Sequence, residues 1–260
     1  MNINTNNTTN QLRIIPMEGE FMGNKTIYDT VWGFYQLNSY FNGDGDRFVY
    51  KTNDTTPTNI LKSIQREIGK TSSGKPKYNI SLSTIKKNIK LYYDLGLIWD
   101  GTTIDKYGRE VDVIFLKSDF EKFQLIPYEA LRFLMNSTNG VVIKLYVYLL
   151  NKHLWKQKTN DKYVFTKKEL GGVLGYSDNS NTNTMLSDIM LNLKNNGLID
   201  WVEYHEMNKD GKPMMKHKLT YVGTIVKGME KKVEPIVETE ISMVQQMINS
   251  SRGVNGEFVM

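Results

Sequence analysis

Between Lys62 and Lys90 the chain carries eight basic residues and a single acid, Glu67. Cationic heads at this density offer one chemistry above others, pairing with the oxygens of a polyanion such as the phosphates of DNA. Small hydroxyl residues stand among them, and Ser and Thr can hydrogen-bond to base edges. With about 100° per residue, a helix that turns Ile85, Ile89 and Tyr92 inward turns Ser83, Lys86, Lys87 and Lys90 outward, with Thr84 flanking. Lys62, Arg66, Lys75 and Lys77 precede that helix and complete the cluster. A lysine-rich face on its own reads as a solvated surface, so the element that carries this one decides its meaning.

Catalytic chemistry finds no foothold. Gly69-Lys70-Thr71 resembles the end of a phosphate-binding loop, but the first Gly of that motif would fall at Ile64, and a helical pattern precedes it where a strand is needed. Asp44-Gly45-Asp46 resembles the start of a calcium loop, yet its twelfth position is Thr55 instead of a bidentate Glu. Histidines stand only at 153, 205 and 217, with no His-x-His pair to hold a nickase metal. No catalytic residue, metal site or cofactor is expected. The tyrosines and tryptophans (Trp32, Trp99, Trp155, Trp201) lie in apolar stripes or strand patterns and read mostly as core.

The 260 residues, 40% of them hydrophobic, suffice for two modest cores or one larger one. There is no cysteine, no apolar run long enough for a bilayer span, and no signal-peptide layout in the polar stretch 1–12, so a cytoplasmic protein without a membrane partner is expected. The net charge of +5 is mildly basic and suits a polyanionic partner.

The element order emerges from an internal repeat. Six short anchors recur in the same order. Ile14 to Pro16 matches Leu125 to Pro127, and Phe34 to Asn38 matches Val147 to Asn151. Arg47 to Lys51 matches Lys162 to Thr166, and Ile68-Gly69 matches Leu174-Gly175. The Gly-Leu-Ile triplets at Gly96 and Gly197 match, as do Lys106 to Arg109 and Lys209 to Lys212. Each copy predicts a helix (about 26–41 and 140–156), a short aromatic strand, a second helix, and a third helix starting near Ser83 or Thr184. Gly96 and Gly197 stop the third helices, and each copy closes with two β runs joined by a Gly-centred turn.

Helix, strand, two helices and a hairpin is the order of a winged helix-turn-helix. The expected fold is α+β, mainly helical, with two tandem winged helix-turn-helix domains from an internal duplication. An N-terminal arm occupies 1–12, the domains 13–119 and 120–223, and a tail 224–260 contains an amphipathic stretch at Ile241, Val244, Met247 and Ile248. The Lys86 face then lies on the helix that such a domain inserts in the major groove. The copies differ there, because Thr184, Ser187, Asp188 and Leu191 occupy the corresponding places in the second. Its wing is basic nonetheless, with Lys209, Lys212 and Lys216, as the first wing has Lys106 and Arg109.

This layout, carried by the stretch from Ile126 to Trp155, by Tyr163 to Ser177 and by the two Gly-Leu-Ile hairpins, resembles the replication initiator proteins of plasmids and phages, including phage replisome organisers. The resemblance covers about 13–223. It implies double-stranded DNA with repeated origin sequences as the partner and a homodimer through the second domain. A transcriptional regulator or centromere-binding partition protein would need the same residues, and a protein–protein adaptor is the third reading. The tail suggests a helicase or loader as a further partner.

Overall fold

A computed structural model describes residues 12–17, 19–24, 29–42, 46–67, 80–136, 141–159 and 161–223. The arm 1–12, apart from Leu12, and the tail 224–260 lie outside the described residues, as do Lys75, Lys77, Ile27 and Ile68.

The first half runs β1 (Leu12–Pro16), α1 (Gly19–Met22), α2 (Asp29–Leu37), β2 (Tyr40–Phe41), β3 (Arg47–Tyr50), α3 (Pro57–Glu67), α4 (Leu82–Asp94), β4 (Ile98–Ile104) and β5 (Glu110–Leu116). The second runs β6 (Phe123–Pro127), α5 (Tyr128–Met135), α6 (Val142–Lys158), β7 (Val164–Phe165), α7 (Lys167–Val173), α8 (Ser180–Asn195), β8 (Ile199–Met207) and β9 (Pro213–Val222). Apart from β2 and a 3-10 turn at Asn53–Thr55 in the first half, the two successions match. The fold is mixed α/β with small antiparallel sheets, more strand-rich than the mainly helical expectation. Among the described residues no helix is long and apolar enough to cross a membrane.

Among the described residues the short strands form three sheets: a β1–β6 ribbon, a sheet in the order β2-β3-β5-β4, and one in the order β7-β9-β8. The ribbon joins the halves. Ile14 pairs with Leu125, Arg13 with Ile126 and Ile15 with Gln124, antiparallel. Ile14 and Leu125 are the residues that the sequence anchors align, and the register is symmetric about their pair. Clefts of about 310 and 540 Å³ are lined by residues of both halves. Asn38 and Tyr128 line one, and their counterparts Asn151 and Met17 line the other.

The open edge of β1 is closed by α2. Trp32 Nε1 donates to the Ile14 carbonyl at 2.9 Å, and the Ile14 amide donates to Gln36 Oε1 at 3.3 Å. Trp32 is fully buried, with Phe21, Tyr92 and Phe120 meeting it edge-on at 5.8–6.1 Å. Gly33 lets α2 approach the second half, since a Cβ there would run into Met135 Sδ and come within 3.2 Å of Ile143 Cδ1. Arg47 reaches the same strand from the sheet, donating to the Leu12 carbonyl at 3.1 Å and to Ser39 Oγ at 2.8 Å. Burial, and then the neighbouring charge of Arg13, lowers its pKa to about 9, which leaves it charged at neutral pH. One apolar core therefore runs through both halves, from Ile60, Ile85 and Tyr92 to Leu186, Ile189 and Leu198.

Several local expectations shift. α4 is capped by Ser81, whose hydroxyl accepts from the Thr84 amide, and α8 by Asn179, whose side chain accepts from the Thr182 amide. Both caps lie upstream of the expected Ser83 and Thr184, so both helices begin sooner. Asn88 takes a buried position on α4 while Ile89 is half-buried. α2 ends at Leu37, short of the expected 41, because the chain turns at Asn38 and Ser39 into β2. The aromatic strands match one residue out of phase: Val49 faces the core between outward Phe48 and Tyr50, whereas Tyr163 and Phe165 face it on either side of Val164.

Because the core is continuous, the halves should unfold together. Ile15→Ala, at a fully buried site on the ribbon, should cost about 2–4 kcal/mol. Far-UV circular dichroism and tryptophan fluorescence in urea should then give coincident transitions in wild type and variant. Two separated transitions would contradict the shared core.

Candidate nucleic-acid interface

The packed pair α3 and α4 carries the basic cluster. Ile60 and Ile64 hold α3 down, leaving Lys62 and Arg66 exposed. Arg66 folds back on its own helix, with Nε donating to the Lys62 carbonyl and Nη2 to Ser63 Oγ. On α4, Ile85 and Tyr92 are fully buried, and Ser83, Lys86, Lys87 and Lys90 are exposed as the spacing predicts, with Thr84 half-buried.

These side chains are not equally available. Lys86 and Lys87 take part in no ion pair among the described residues, and neither does Lys62. Lys90 is held by Asp94 at 2.8 Å, one helical turn away. The hydroxyls of Ser83 and Thr84 lie 2.8 and 2.9 Å from Ser81 Oγ, so they already belong to the helix cap. Among the described residues of this pair, the cations with neither an ion pair nor a side-chain hydrogen bond are Lys62 on α3 and Lys86 and Lys87 on α4, the latter two one turn beyond the cap.

The hairpin that follows is a built turn. Asp105 Oδ1 accepts from the Tyr107 and Arg109 amides, the Gly108 amide donates to the Asp105 carbonyl, and Gly108 takes a φ of 77°. Arg109 closes a two-point contact on Asp105 Oδ2 at 2.9 and 2.7 Å. The guanidinium also stands over the Tyr107 ring, as does Lys106. The sequence points Arg109 at DNA; the structure gives it a partner within the turn, and Lys106 is the hairpin-tip cation with no ionic partner among the described residues.

The second half repeats the frame with different charges. Asn208 Oδ1 accepts from the Asp210 and Lys212 amides, the Gly211 amide donates to the Asn208 carbonyl, and Gly211 has a φ of 72°. The two hairpin tips share one hydrogen-bond pattern, with Asn208 in the place of Asp105. Lys209 and Lys212 are exposed there, while Lys216 is bound by Glu206, which raises its pKa. Lys168 pairs with Asp178, and Lys194 with Asp200 at 2.6 Å. Thr184, Asp188 and Leu191 form the exposed side of α8.

No family model, curated protein or solved structure matches this chain. The geometry of its surface carries the functional reading.

Sequence reasoning misplaces part of the aromatic set. Trp32 is core and Trp201 half-buried, but Trp99 and Trp155 are 44% and 57% exposed. Apolar patterning assigns a residue to a stripe and leaves open which stripe faces water. Lys75 and Lys77 lie outside the described residues. Among the described residues no cluster of three His, Asp or Glu side chains is placed to share a metal ion.

The Asp105 carboxyl is held below its usual range, first by the Arg109 backbone amide and also by the Arg109 guanidinium and the Tyr107 amide. A depressed folded value means that the ionised carboxylate stabilises the turn above about pH 4, and that this is lost as pH falls through the folded value. Arg109→Ala removes the guanidinium and keeps the amide. The Asp105 pKa, followed by NMR titration of its side-chain carbon, should therefore rise only part of the way to normal. An unchanged value would show that the ion pair contributes nothing.

Proposed function

We propose that the chain is a sequence-specific double-stranded DNA-binding protein made of two tandem winged helices related by internal duplication, acting as a replication initiator of the plasmid and phage type. One observation carries this reading. The exposed face of α4 presents Lys86 and Lys87 without acidic partners among the described residues, on the second helix of a packed pair that is followed by a hairpin with a cation at its tip. That is the arrangement by which a helix-turn-helix element sets cations against phosphates while the helix lies in the major groove. The matched succession of elements, the Ile14–Leu125 pairing and the shared hairpin tips support the duplication. The initiator role comes from the resemblance in layout. A regulator or partition protein would use the same face, and the position of the binding site distinguishes them: direct repeats at an origin for an initiator, a promoter palindrome for a regulator.

The halves would divide the work. The first reads DNA through α4. The second adds Lys209 and Lys212 at its hairpin and offers the exposed side of α8, with Leu191 53% exposed, to a second copy or another protein.

If about six phosphates are neutralised, log K should fall against log salt with a slope of roughly −5. Lys86→Ala with Lys87→Ala should lower the slope by about 0.9 for each phosphate left unneutralised, and abolish tight binding without unfolding the protein. Ser187→Ala with Asp188→Ala should leave duplex affinity unchanged or slightly higher, because it removes an acid. Fluorescence anisotropy on one duplex, with both double variants side by side, decides the matter. Equal losses would make the two halves equivalent readers, and absence of wild-type binding at low salt would leave the adaptor reading.

A further inference from the structure

The four-stranded sheet of the first half has a second apolar face, apart from the common core. The strand register sets one aromatic residue from each strand in a single cross-strand row. Tyr40 on β2 pairs with Phe48 on β3, Phe48 with Phe115 on β5, and Phe115 with Trp99 on β4. Neighbouring ring centroids are 5.8–6.3 Å apart, and Trp99 stacks on Phe115 with 20° between the planes. Tyr50 adds a fifth ring, 5.3 Å from both Tyr40 and Phe48. Space is reserved for this packing, since a Cβ at Gly101 would come within 2.7 Å of the Phe115 ring. None of these rings except Phe48 is fully buried, and the two ends of the row, Tyr40 and Trp99, are 49% and 44% exposed.

The charge pattern identifies what such a face suits. No strand position that alternates onto it is charged. The strand carboxylates alternate to the other side, where Asp100 receives Lys51 and the Tyr93 hydroxyl. A polyanion approaching the row meets no carboxylate on the strands, and at the tip of the β4–β5 hairpin it meets Lys106 and Tyr107, the latter 69% exposed. Four strands at about 4.8 Å spacing give the row a span of roughly 14 Å. Aromatic rings across a four-stranded sheet stack about two or three unpaired bases. The second half has no counterpart among its described residues, because its outward strand residues include Lys218 and Val164 where the first half has rings.

We propose that this aromatic face binds single-stranded nucleic acid by base stacking, with Trp99 and Tyr40 as the end platforms and Lys106 on the backbone path. The inference rests on the duplex-binding reading only for the source of the strand. The hairpin that carries Trp99 also touches α4, through Asp100 and the Tyr93 hydroxyl on its opposite face, so a strand released from duplex at α4 would pass round the hairpin to reach the rings.

The test uses the full chain with a fluorescein-labelled oligo(dT) and, separately, the duplex. Trp99→Ala with Tyr40→Ala should weaken oligo(dT) binding about 10- to 100-fold and leave duplex affinity unchanged. Trp99→Phe, which keeps a ring, should retain most of the binding. The proposal is overturned if the wild type does not bind oligo(dT), or if the double alanine variant binds it as well as wild type. It is equally overturned if Trp99→Phe loses as much as the alanine change, since the loss would then come from sheet packing. A change in sedimentation with oligo(dT) affinity intact would make the face a protein contact instead. Duplex binding that fails while oligo(dT) binding persists would sink the duplex reading alone.

Discussion

The structure depends on satisfying one strand that lies far from most of its partners in sequence. β1 pairs on one side with β6, more than a hundred residues downstream, and has no neighbouring strand on the other among the described residues. A buried strand edge would leave amide and carbonyl groups without water or partner, which folded chains avoid. Here Trp32 and Gln36, one helical turn apart on α2, take the carbonyl and the amide of Ile14. Those bonds fix α2 against the ribbon, and α2 in turn packs on α3 and meets α4 through Trp32 and Tyr92. The placement of the basic helix therefore traces back to the hydrogen-bond needs of one isoleucine.

Upon this shared frame the two halves carry different chemistry. Backbone devices are repeated: left-handed Gly96 and Gly197 after the third helices, and the same bonding at both hairpin tips. Side-chain charge is not repeated. Lys86 and Lys87 stand exposed where Ser187 and Asp188 occupy the second copy, and Lys168 and Lys194 are neutralised by nearby aspartates. Packing constrains the inner face of each element and leaves the outer face open to divergence, so a common fold supports unequal surfaces.

The three helices expected in each half, the two hairpins and the outward lysines are legible in the sequence because each has a local cause: periodicity, a glycine with positive φ, or a turn. α1 and α5 are not among the expected elements. The helix starts are not legible either. Ser81, Ser83 and Thr84 are all capable caps, as are Asn179, Ser180 and Thr182, and only the three-dimensional fit chooses among them. The strand phase is hidden because an aromatic stands on each side of a valine in both copies, so a slip of one residue leaves the pattern unchanged. The β1–β6 pairing is out of reach, since Arg13 looks like a surface residue in a short strand and is in fact 1% exposed. Trp99 reads as core because sequence shows that a strand is apolar on both faces without showing which face is covered.

The pairing of Ile14 with Leu125 has an evolutionary consequence. An antiparallel ribbon in which equivalent residues face each other is what two identical chains form across a true twofold axis. On the proposed duplication, the ancestor of this chain was a homodimer joined through that ribbon. On the same proposal, fusion would turn a bimolecular assembly into an intramolecular one, whose integrity does not depend on protein concentration. It would also free the two halves from having to be identical. A mutation in a homodimer falls on both subunits at once; in the fused chain, Asp188 could arise opposite an unchanged Lys87. On that proposal the symmetric register of the ribbon is what the ancestor leaves behind, and the unequal surfaces are what fusion permits.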